Sequence, residues 1–300
     1  MKNRGFTIAE VLIVMALIGF LFTLMIPHLV QKQGSQKNIE SLKTAQSKLQ
    51  EAFDITAKAN NNLNPQDWES VRNSENKSEA IIKEVAKKLS VMSYCGTSPK
   101  GCFASGEYRT LNGVPTKVLN DPMEPFRLTL DPEDYIVTQT QEVTDEFGDT
   151  VEQKVPLTYI KAEPEVASTF ITLLDGGSVV LKTASTYCNG RIPSTDPLER
   201  PFCGVIYVDV NGPAIPNMLG VDVFGFYLSG NTLLPMGFYG DDFNFEHNCL
   251  MEKPNADKYN GLACTAWALK NKNMEYRKCQ AGSRLGWALS TRCDSPPPKR

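Results

Sequence analysis

The chain has 300 residues, 41% of them apolar, and its 31 basic and 34 acidic side chains give a formal net charge of −3. A chain of this length can bury one or two compact hydrophobic cores. Because its charges nearly balance, the composition argues against a general nucleic-acid-binding surface.

The first thirty residues contain the one strongly apolar segment of the chain. After a short basic head, Met1–Gly5, the sixteen residues from Val11 to Ile26 carry no charge and only one polar side chain, Thr23. Together with Phe6–Ala9 they make about the 20 residues that a helix needs to cross a bilayer. A secretory signal peptide would be followed by small residues at a cleavage site, and the residues after Ile26 offer none. The sequence therefore predicts an anchor that is not removed after the apolar run.

A single acid, Glu10, stands at the start of this apolar run. A carboxylate at the edge of the hydrocarbon costs a few kcal/mol and normally needs a partner. A cut between Gly5 and Phe6 would supply one, because the new α-amino group of Phe6 is a cation that can pair with Glu10 of another copy.

These residues carry a resemblance. The pattern Gly5-Phe6-Thr7-x-x-Glu10 before an apolar run, with Pro27 seventeen residues past the acid, resembles the class III signal of type IV pilins and type II secretion pseudopilins. The resemblance implies that a prepilin peptidase cleaves after Gly5 and methylates Phe6, and that Glu10 and Pro27 serve in subunit assembly. The alternative is an ordinary signal anchor that contains a stray glutamate.

The helix is predicted to continue beyond the anchor and to span residues 6–59. Apolar residues recur there at steps of three and four, which indicates one buried stripe; they are Ile39, Leu42, Ala45, Leu49, Ala52 and Phe53. Pro27 removes one backbone hydrogen bond, so we expect a kink or local melting near it. The turn-forming run Asn60–Pro65 ends the helix, which leaves residues 1–5 as a leader, 60–293 as an exported domain and 294–300 as a disordered tail.

The exported domain shows both helical and strand patterns. Period and turn signals predict a helix over Ser78–Met92, a hairpin within Asp131–Ile160, a hairpin of 169–174 with 178–181, a strand over Gly204–Val210, a hairpin of 224–228 with 232–234, and a helix over Leu262–Tyr276. We expect an α+β, pilin-like fold in which the long N-terminal helix packs on an antiparallel sheet with disulfide-closed loops.

All of the cysteines lie beyond the anchor, and their even number suits an oxidising compartment. Taken pairwise along the chain, they enclose 6, 14, 14 and 13 residues, which suggests four local disulfide loops; they are Cys95, Cys102, Cys188, Cys203, Cys249, Cys264, Cys279 and Cys293. Eight cysteines allow 105 pairings, so only Cys95 with Cys102 is a firm expectation. A zinc site is disfavoured, because the sequence lacks Cys-x-x-Cys and has two histidines, His28 and His247.

A possible cation site follows the predicted strand that ends near Asp209. The stretch from Asp209 to Phe224 resembles a strand-exit loop of pseudopilin-like proteins, and Asp209, Asn211 and Asp222 can converge oxygens on calcium. The spacing is not that of an EF-hand. The competing interpretation, which we favour, is an Asx turn in which Asn211 and Gly212 supply positive φ angles.

The sequence gives little sign of catalysis. It contains no phosphate-binding loop, no His-Glu-x-x-His, no Gly-x-Ser-x-Gly and no dinucleotide fingerprint. Asp241 and Asp242 are adjacent carboxylates whose side chains usually point apart, and His247 is the only exported histidine. Three large aromatic residues, Trp267, Tyr276 and Trp287, are expected to pack in the core or in loops rather than to form a binding box.

Two functional hypotheses remain open at this point. The first is a pilus or pseudopilus subunit, and the size of the exported part favours a minor or large one. The resemblance then implies other pilin or pseudopilin subunits, a prepilin peptidase, an assembly ATPase and a platform membrane protein as partners, with the precursor in the bacterial inner membrane. The second is a membrane-anchored exported enzyme or binding domain that never polymerises and retains Met1.

Overall fold

The computed structural model describes residues 8–119, 138–144, 150–156, 167–183, 188, 190–192, 194–195, 200–251, 257–278 and 285–287. Its longest element is helix α1, Ile8–Ala59, which contains 52 residues. The backbone stays helical through Pro27, so the local melting that we considered there is wrong. The helix ends where Asn61 adopts the left-handed conformation, with φ of 53°, which asparagine tolerates better than most residues.

A six-stranded antiparallel sheet forms the centre of the domain that follows α1. Its spatial order is β1 (Val91–Gly96), β6 (Thr169–Leu173), β7 (Ser178–Thr183), β10 (Gly204–Asp209), β11 (Val223–Ser229) and β12 (Thr232–Pro235). Short two-stranded pairs join β2 (Tyr108–Arg109) to β3 (Pro115–Thr116), β4 (Thr138–Thr144) to β5 (Thr150–Pro156), and β8 (Gly190–Arg191) to β9 (Pro201–Phe202). The hairpins β6–β7 and β11–β12 and strand β10 confirm the predicted strands of the sheet.

The remaining helices are short. They are α2 (Glu69–Arg72), α3 (Lys77–Ala86), α4 (Phe245–Asn248) and α5 (Cys264–Asn271), and single 3-10 turns occupy Pro65–Asp67 and Glu275–Lys278.

Helix α3 corrects the predicted helix over Ser78–Met92. Its start is capped by Asn76, whose Oδ1 accepts a hydrogen bond of 3.0 Å from Glu79 N, but it ends at Ala86. Val91 instead pairs with Leu173 at the edge of the sheet. Pairing with a neighbouring strand therefore overrides the helical period of this segment, which a local pattern does not reveal.

Helix α5 is also shorter than predicted. It stops at Asn271 because Lys272 adopts the left-handed conformation, with φ of 53°, and the chain re-enters a helical turn only at Glu275. The predicted hairpin within Asp131–Ile160 exists as β4–β5, whereas residues 131–137, 145–149 and 157–160 of that prediction lie outside the described part of the chain.

Both faces of the sheet are covered. One face packs against the apolar stripe of α1 and against α3, and its main contributors are Ile39, Leu49, Phe53, Ile82, Ile171, Ile206 and Phe224. The other face packs against a layer of loops and short strands, with Phe103, Tyr108, Phe170, Tyr207 and Tyr227 buried there. Every residue of β7 and β10 is therefore buried, which explains why their central residues, Val179–Leu181 and Val205–Val208, form continuous apolar runs rather than alternating ones.

The side chain of Gln50 fixes the position of α1 on the sheet. Its Oε1 accepts a hydrogen bond of 2.8 Å from Leu233 N, and its Nε2 donates to Asn231 O at 3.0 Å. The amide of Gln50 thus hydrogen-bonds to the backbone groups that would otherwise be free to pair with another strand beside β12. Asp54 joins this contact, because its Oδ1 accepts from Gln50 Nε2 and from Asn231 Nδ2.

We expect Gln50→Ala to lower the free energy of unfolding by about 1–3 kcal/mol, because two backbone groups of the hairpin lose a partly buried partner. Urea unfolding of the full chain in detergent, followed by tryptophan fluorescence, measures this change. Gln46→Ala is the matched control on the same helix, and equal destabilisation by both substitutions would contradict the proposed contact.

Candidate functional site

The N-terminal segment contains the predicted cleavage and assembly residues. The predicted cleavage point, Gly5–Phe6, lies outside the described residues, whereas the backbones of Glu10 and Pro27 belong to α1. The same helix therefore leads without interruption from Glu10 to the domain that contains the sheet.

The apolar side chains of the first turns of α1 are exposed. Exposure ranges from 42% to 82% for Ile8, Val11, Leu12, Ile13, Val14, Met15, Leu17, Ile18, Phe20 and Leu21. Since these positions are nearly consecutive, they cover every side of the helix. A helix that is apolar all round is normally buried in protein or lipid. The composition of this segment therefore favours burial against a protein partner or in a membrane.

A search of the described residues finds no helix that is both long enough and apolar enough to span a bilayer. The membrane-embedded first half of the helix stays a prediction from the sequence.

The second half of α1 is held by the domain that follows it. Asn38 Nδ2 donates to Val221 O at 2.9 Å, and Arg277 Nη1 donates to Ser35 Oγ at 3.2 Å. From Ile39 onward the apolar stripe is buried. Among the residues of α1 whose side chains are described, contact with the domain is seen from Ser35 onward.

Two buried carboxylates organise the loop between β10 and β11. Asp209 Oδ2 accepts a hydrogen bond of 2.7 Å from the Tyr108 hydroxyl, and its Oδ1 accepts from Asn211 N at 3.3 Å. Asp222 Oδ2 and Oδ1 accept from Asn217 N and Met218 N at 2.8 and 2.7 Å. Each carboxylate thus satisfies two donors and fixes one end of the loop.

The contact from Asn211 N to Asp209 is an Asx turn, and Gly212 follows it with φ of 61°. This confirms the Asx turn and the positive φ of Gly212, whereas the positive φ predicted for Asn211 is wrong: the asparagine of this loop with positive φ is Asn217, at 52°. The structure also brings Asp222 against the same strand end, because Val210 N donates to Asp222 O at 2.8 Å.

The calcium site stays a prediction. Among the described residues, no three His, Cys, Asp or Glu side chains group as metal ligands. The oxygens that suit a hard cation are the two carboxylates and the buried amide Oδ1 atoms of Asn211 and Asn217, which lack a hydrogen-bond donor. Calcium takes 6 to 8 oxygens, so these residues fit it in part, and backbone carbonyls or water would have to complete the shell.

Burial shifts the protonation of these groups. Burial and the nearby Asp222 carboxylate raise the pKa of Asp209 well above its ordinary value. Burial raises the pKa of Asp222 to about 6, although hydrogen bonds from Met218 and Asn217 act in the opposite direction. Burial and the charge of Asp209 also raise the pKa of the Tyr108 phenol, which therefore remains a hydrogen-bond donor at physiological pH.

Sequence analysis missed the structural role of Asp241. Its carboxylate accepts hydrogen bonds from Gly237 N, Phe243 N and the Tyr227 hydroxyl at 2.7, 3.0 and 3.1 Å. Burial raises its pKa to about 8. Asp242 is less buried, and burial raises its pKa as well.

The structure contains the disulfides Cys95–Cys102, Cys188–Cys203 and Cys249–Cys264. These are three of the four pairs that neighbouring cysteines form along the sequence, whereas Cys279 and Cys293 lie outside the described residues. The bonds stabilise the domain chiefly by restricting its unfolded chain.

The large aromatic residues pack on one another, as the sequence predicts. Trp267 stacks on Phe245 with ring centroids 4.4 Å apart, and Trp287 lies 5.3 Å from Trp267. Trp267 and Tyr276 are fully buried.

His247 lies in the short helix α4, where its Nδ1 contacts Asn244 Oδ1 at 2.9 Å. That contact stabilises the first turn of α4.

We expect the stability of the domain to fall as the pH rises from about 4 to about 6, because folded Asp222 holds its proton to a higher pH than the unfolded chain does. The contribution of Asp222 to the free energy of unfolding is fully present below the unfolded pKa of about 3.9 and is lost as the pH rises through the folded pKa. For this one group, the free energy of unfolding changes by at most about 1.4 kcal/mol per pH unit. Asp222→Asn should make the slope shallower, while Asp209 and Asp241, whose pKa values are also raised by burial, keep part of it. Urea unfolding at several pH values measures this slope, and Glu69→Gln, at an exposed position, is the control. An unchanged slope in the Asp222→Asn variant would contradict the assignment of this pH dependence to Asp222.

Comparison with known proteins identifies one region of the chain. Residues 1–26 match the family model of the prokaryotic N-terminal methylation motif. Neither the curated proteins nor the solved structures give a significant match. The matched residues include the predicted cleavage point, Phe6 and Glu10. The chain therefore carries a class III prepilin-type signal, of the kind that introduces type IV pilins and pseudopilins.

Proposed function

We propose that this chain is a type IV pilin-like or pseudopilin subunit that assembles into a filament through helix α1. The observation that carries the proposal is the methylation motif at residues 1–26, whose described part, from Ile8 on, belongs to a helix that continues without a break to Ala59. A prepilin peptidase cleaves after Gly5 and methylates Phe6, so that the mature chain begins at Phe6.

The exposed apolar turns of α1 support this role. Residues from Ile8 to Leu21 have little contact with the exported domain, and a bundle of such helices from several copies would cover them. Transfer of a helix from lipid into a bundle gains little hydrophobic free energy. We therefore assign the choice of register to the charge pair between Glu10 and the Phe6 amine of a neighbouring copy.

The precursor resides in the bacterial inner membrane, and its exported domain folds in an oxidising compartment. The three disulfides support that placement. By resemblance, an assembly ATPase and a platform membrane protein extract the subunit. The large two-layered domain favours a minor or low-copy subunit in a pilus or secretion pseudopilus, with no enzymatic activity of its own.

The mature N-terminus tests the processing step. We expect mass spectrometry of the protein purified from cells with a prepilin peptidase to find N-methylated Phe6 as the first residue. Cells that lack the peptidase are the control and should yield the uncut chain. A chain that begins at Met1 in both strains would support the non-polymerising anchored domain instead.

The role of Glu10 is tested by removing its charge. We expect Glu10→Ala to lower incorporation into filaments about tenfold or more, since the amine of the neighbouring copy loses a partner worth a few kcal/mol. Quantitative immunoblotting of sheared filaments measures incorporation, and disulfide formation reports export and folding, which should not change. Thr23→Val removes the other polar side chain of the segment as a matched control. Normal incorporation of Glu10→Ala would refute the pairing.

A further inference from the structure

An exposed apolar loop lies between β10 and β11. The four residues Pro213–Pro216, which we call the apolar loop, are all exposed, and the longer stretch Asn211–Met218 carries no charge. Ile215 is 85% exposed, and among the described residues it is the most exposed large apolar side chain. Exposed apolar patches on folded domains commonly mark a contact with protein or with a membrane.

Hydrogen bonds hold the apolar loop in one conformation. Asn211 Nδ2 donates to Ile215 O at 3.2 Å, and Asn217 N donates to the buried Asp222 carboxylate at 2.8 Å. Arg109 N on the neighbouring strand β2 donates to Asn217 O at 3.0 Å. A loop that is already ordered loses little conformational entropy when it binds.

Strand β10 runs antiparallel to α1 and leads the chain toward the first turns of that helix. It begins next to Cys203, whose carbonyl accepts a hydrogen bond from Gln66 Nε2 beyond the C-terminal end of α1. Its other end continues into the loop, where Val221 O accepts from Asn38 Nδ2 at 2.9 Å. The loop therefore leaves the sheet at the end of the domain that lies nearest to the apolar turns of α1.

The 3-10 turn that carries Arg277 lies at the same end. Tyr276 Oη donates to Gly220 O at 2.8 Å, in the returning part of the loop between β10 and β11. Arg277 Nη1 donates to Ser35 Oγ of α1 at 3.2 Å. These two hydrogen bonds place the guanidinium of Arg277 at the end of the domain nearest to the apolar turns.

The charges on these two elements have a basic excess. Lys37 is exposed on the adjoining turn of α1. The acids are Glu40 on α1 and Glu275 on the 3-10 turn, and Glu275 already forms an ion pair of 2.7 Å with Lys278. On the 3-10 turn and on residues 34–40 of α1, three basic side chains therefore stand against two acidic ones, although the whole chain is acidic.

We propose that this end of the domain docks on the surface of the bilayer that anchors the N-terminal segment, with Ile215 in the headgroup layer and Arg277 and Lys37 facing anionic headgroups. The inference rests on the proposed function, because it requires that the first turns of α1 anchor the precursor. Apolar contact at the interface together with basic groups is the combination that binds protein surfaces to anionic lipid.

The length of α1 between the anchor and the domain agrees with this contact. Ser35 lies nine residues past Ile26, the last residue of the apolar run, which corresponds to about 14 Å along the helix axis at 1.5 Å per residue. The headgroup layer occupies about 5–8 Å of this height. The Arg277 contact therefore lies about 6–9 Å from the headgroups, close to the Debye length of about 8 Å at physiological ionic strength.

The same comparison sets the depth that the apolar loop reaches. Asn38 lies twelve residues past Ile26, or about 18 Å along the axis, which leaves about 10–13 Å to the headgroups. Three loop residues beyond Val210 span at most about 10 Å. The tip of the loop therefore reaches the outer part of the headgroup layer and stays out of the hydrocarbon.

Photo-cross-linking tests the proposal. The uncleaved full chain is reconstituted at low density in vesicles of phosphatidylethanolamine and phosphatidylglycerol, with p-benzoylphenylalanine in place of Ile215. We expect irradiation to give lipid-linked chains, which mass spectrometry detects. The matched control carries the same group in place of Leu63, which is 68% exposed and follows the C-terminal end of α1, and it should give several-fold fewer. Equal yields at both positions, or links from position 215 to a second copy instead of lipid, would overturn the membrane contact.

Charge variants provide a second measurement. We expect Arg277→Gln combined with Lys37→Gln to lower the lipid yield at position 215 several-fold, because attraction to anionic headgroups weakens. Phosphatidylcholine in place of phosphatidylglycerol, or added salt, should have the same effect. Lys58→Gln removes an exposed lysine near the other end of α1 and is the matched control. A yield that responds to none of these changes would overturn the contact with anionic headgroups.

Processing and assembly of the same chains separate this inference from the proposed function. A chain that is processed and polymerises normally, but gives no lipid link from position 215 in its precursor form, would overturn the membrane contact alone. A chain that alkaline carbonate releases from the vesicles would overturn both, because its N-terminal segment would then not be an anchor.

Discussion

The packing of α1 on one face of the sheet is the contact on which the rest of the structure depends. The buried stripe that begins at Ile39 and ends near Ala57 fixes the rest of the domain to the helix, and Gln50 adds a directional contact at the edge of the sheet. Since the same helix continues to Ile8, a force on its first turns acts directly on the folded domain. This continuity is what a filament subunit needs, because its two halves must move as one body.

The second layer distinguishes this domain from the arrangement that its sequence suggests. Loops and short strands from residues 97–119 and from around Tyr259 cover the sheet face opposite α1. The strands therefore lie between two cores. Burial on both faces also explains how polar groups such as Asp209 and Asp241 come to lie inside the protein, where backbone donors satisfy them.

Sequence patterns were sufficient for the parts of the fold that depend on neighbouring residues. The motif around Glu10, the stripe of α1 and the hairpin turn at Gly176 each depend on local spacing, and each predicted its element. The contacts that sequence analysis missed join distant residues: the Tyr108 hydroxyl meets Asp209 across 101 positions, and Gln50 meets Leu233 across 183. No local period encodes such pairs. The same limit explains why the helix predicted through Met92 ends at Ala86, where pairing with Leu173 takes over.

In the proposed filament, copies of the domain lie close together, and the edges of the sheet then have a consequence. Unpaired strand edges recruit strands from other chains and lead to aggregation. At the β12 edge, the amide of Gln50 already hydrogen-bonds to backbone groups of Asn231 and Leu233. At the opposite edge, register shifts near Ser93 and Gly96 interrupt the pairing of β1. Neither edge of the sheet therefore offers a long regular strand with which a strand of another copy could pair. Copies can thus crowd together at high local density while their sheets stay separate.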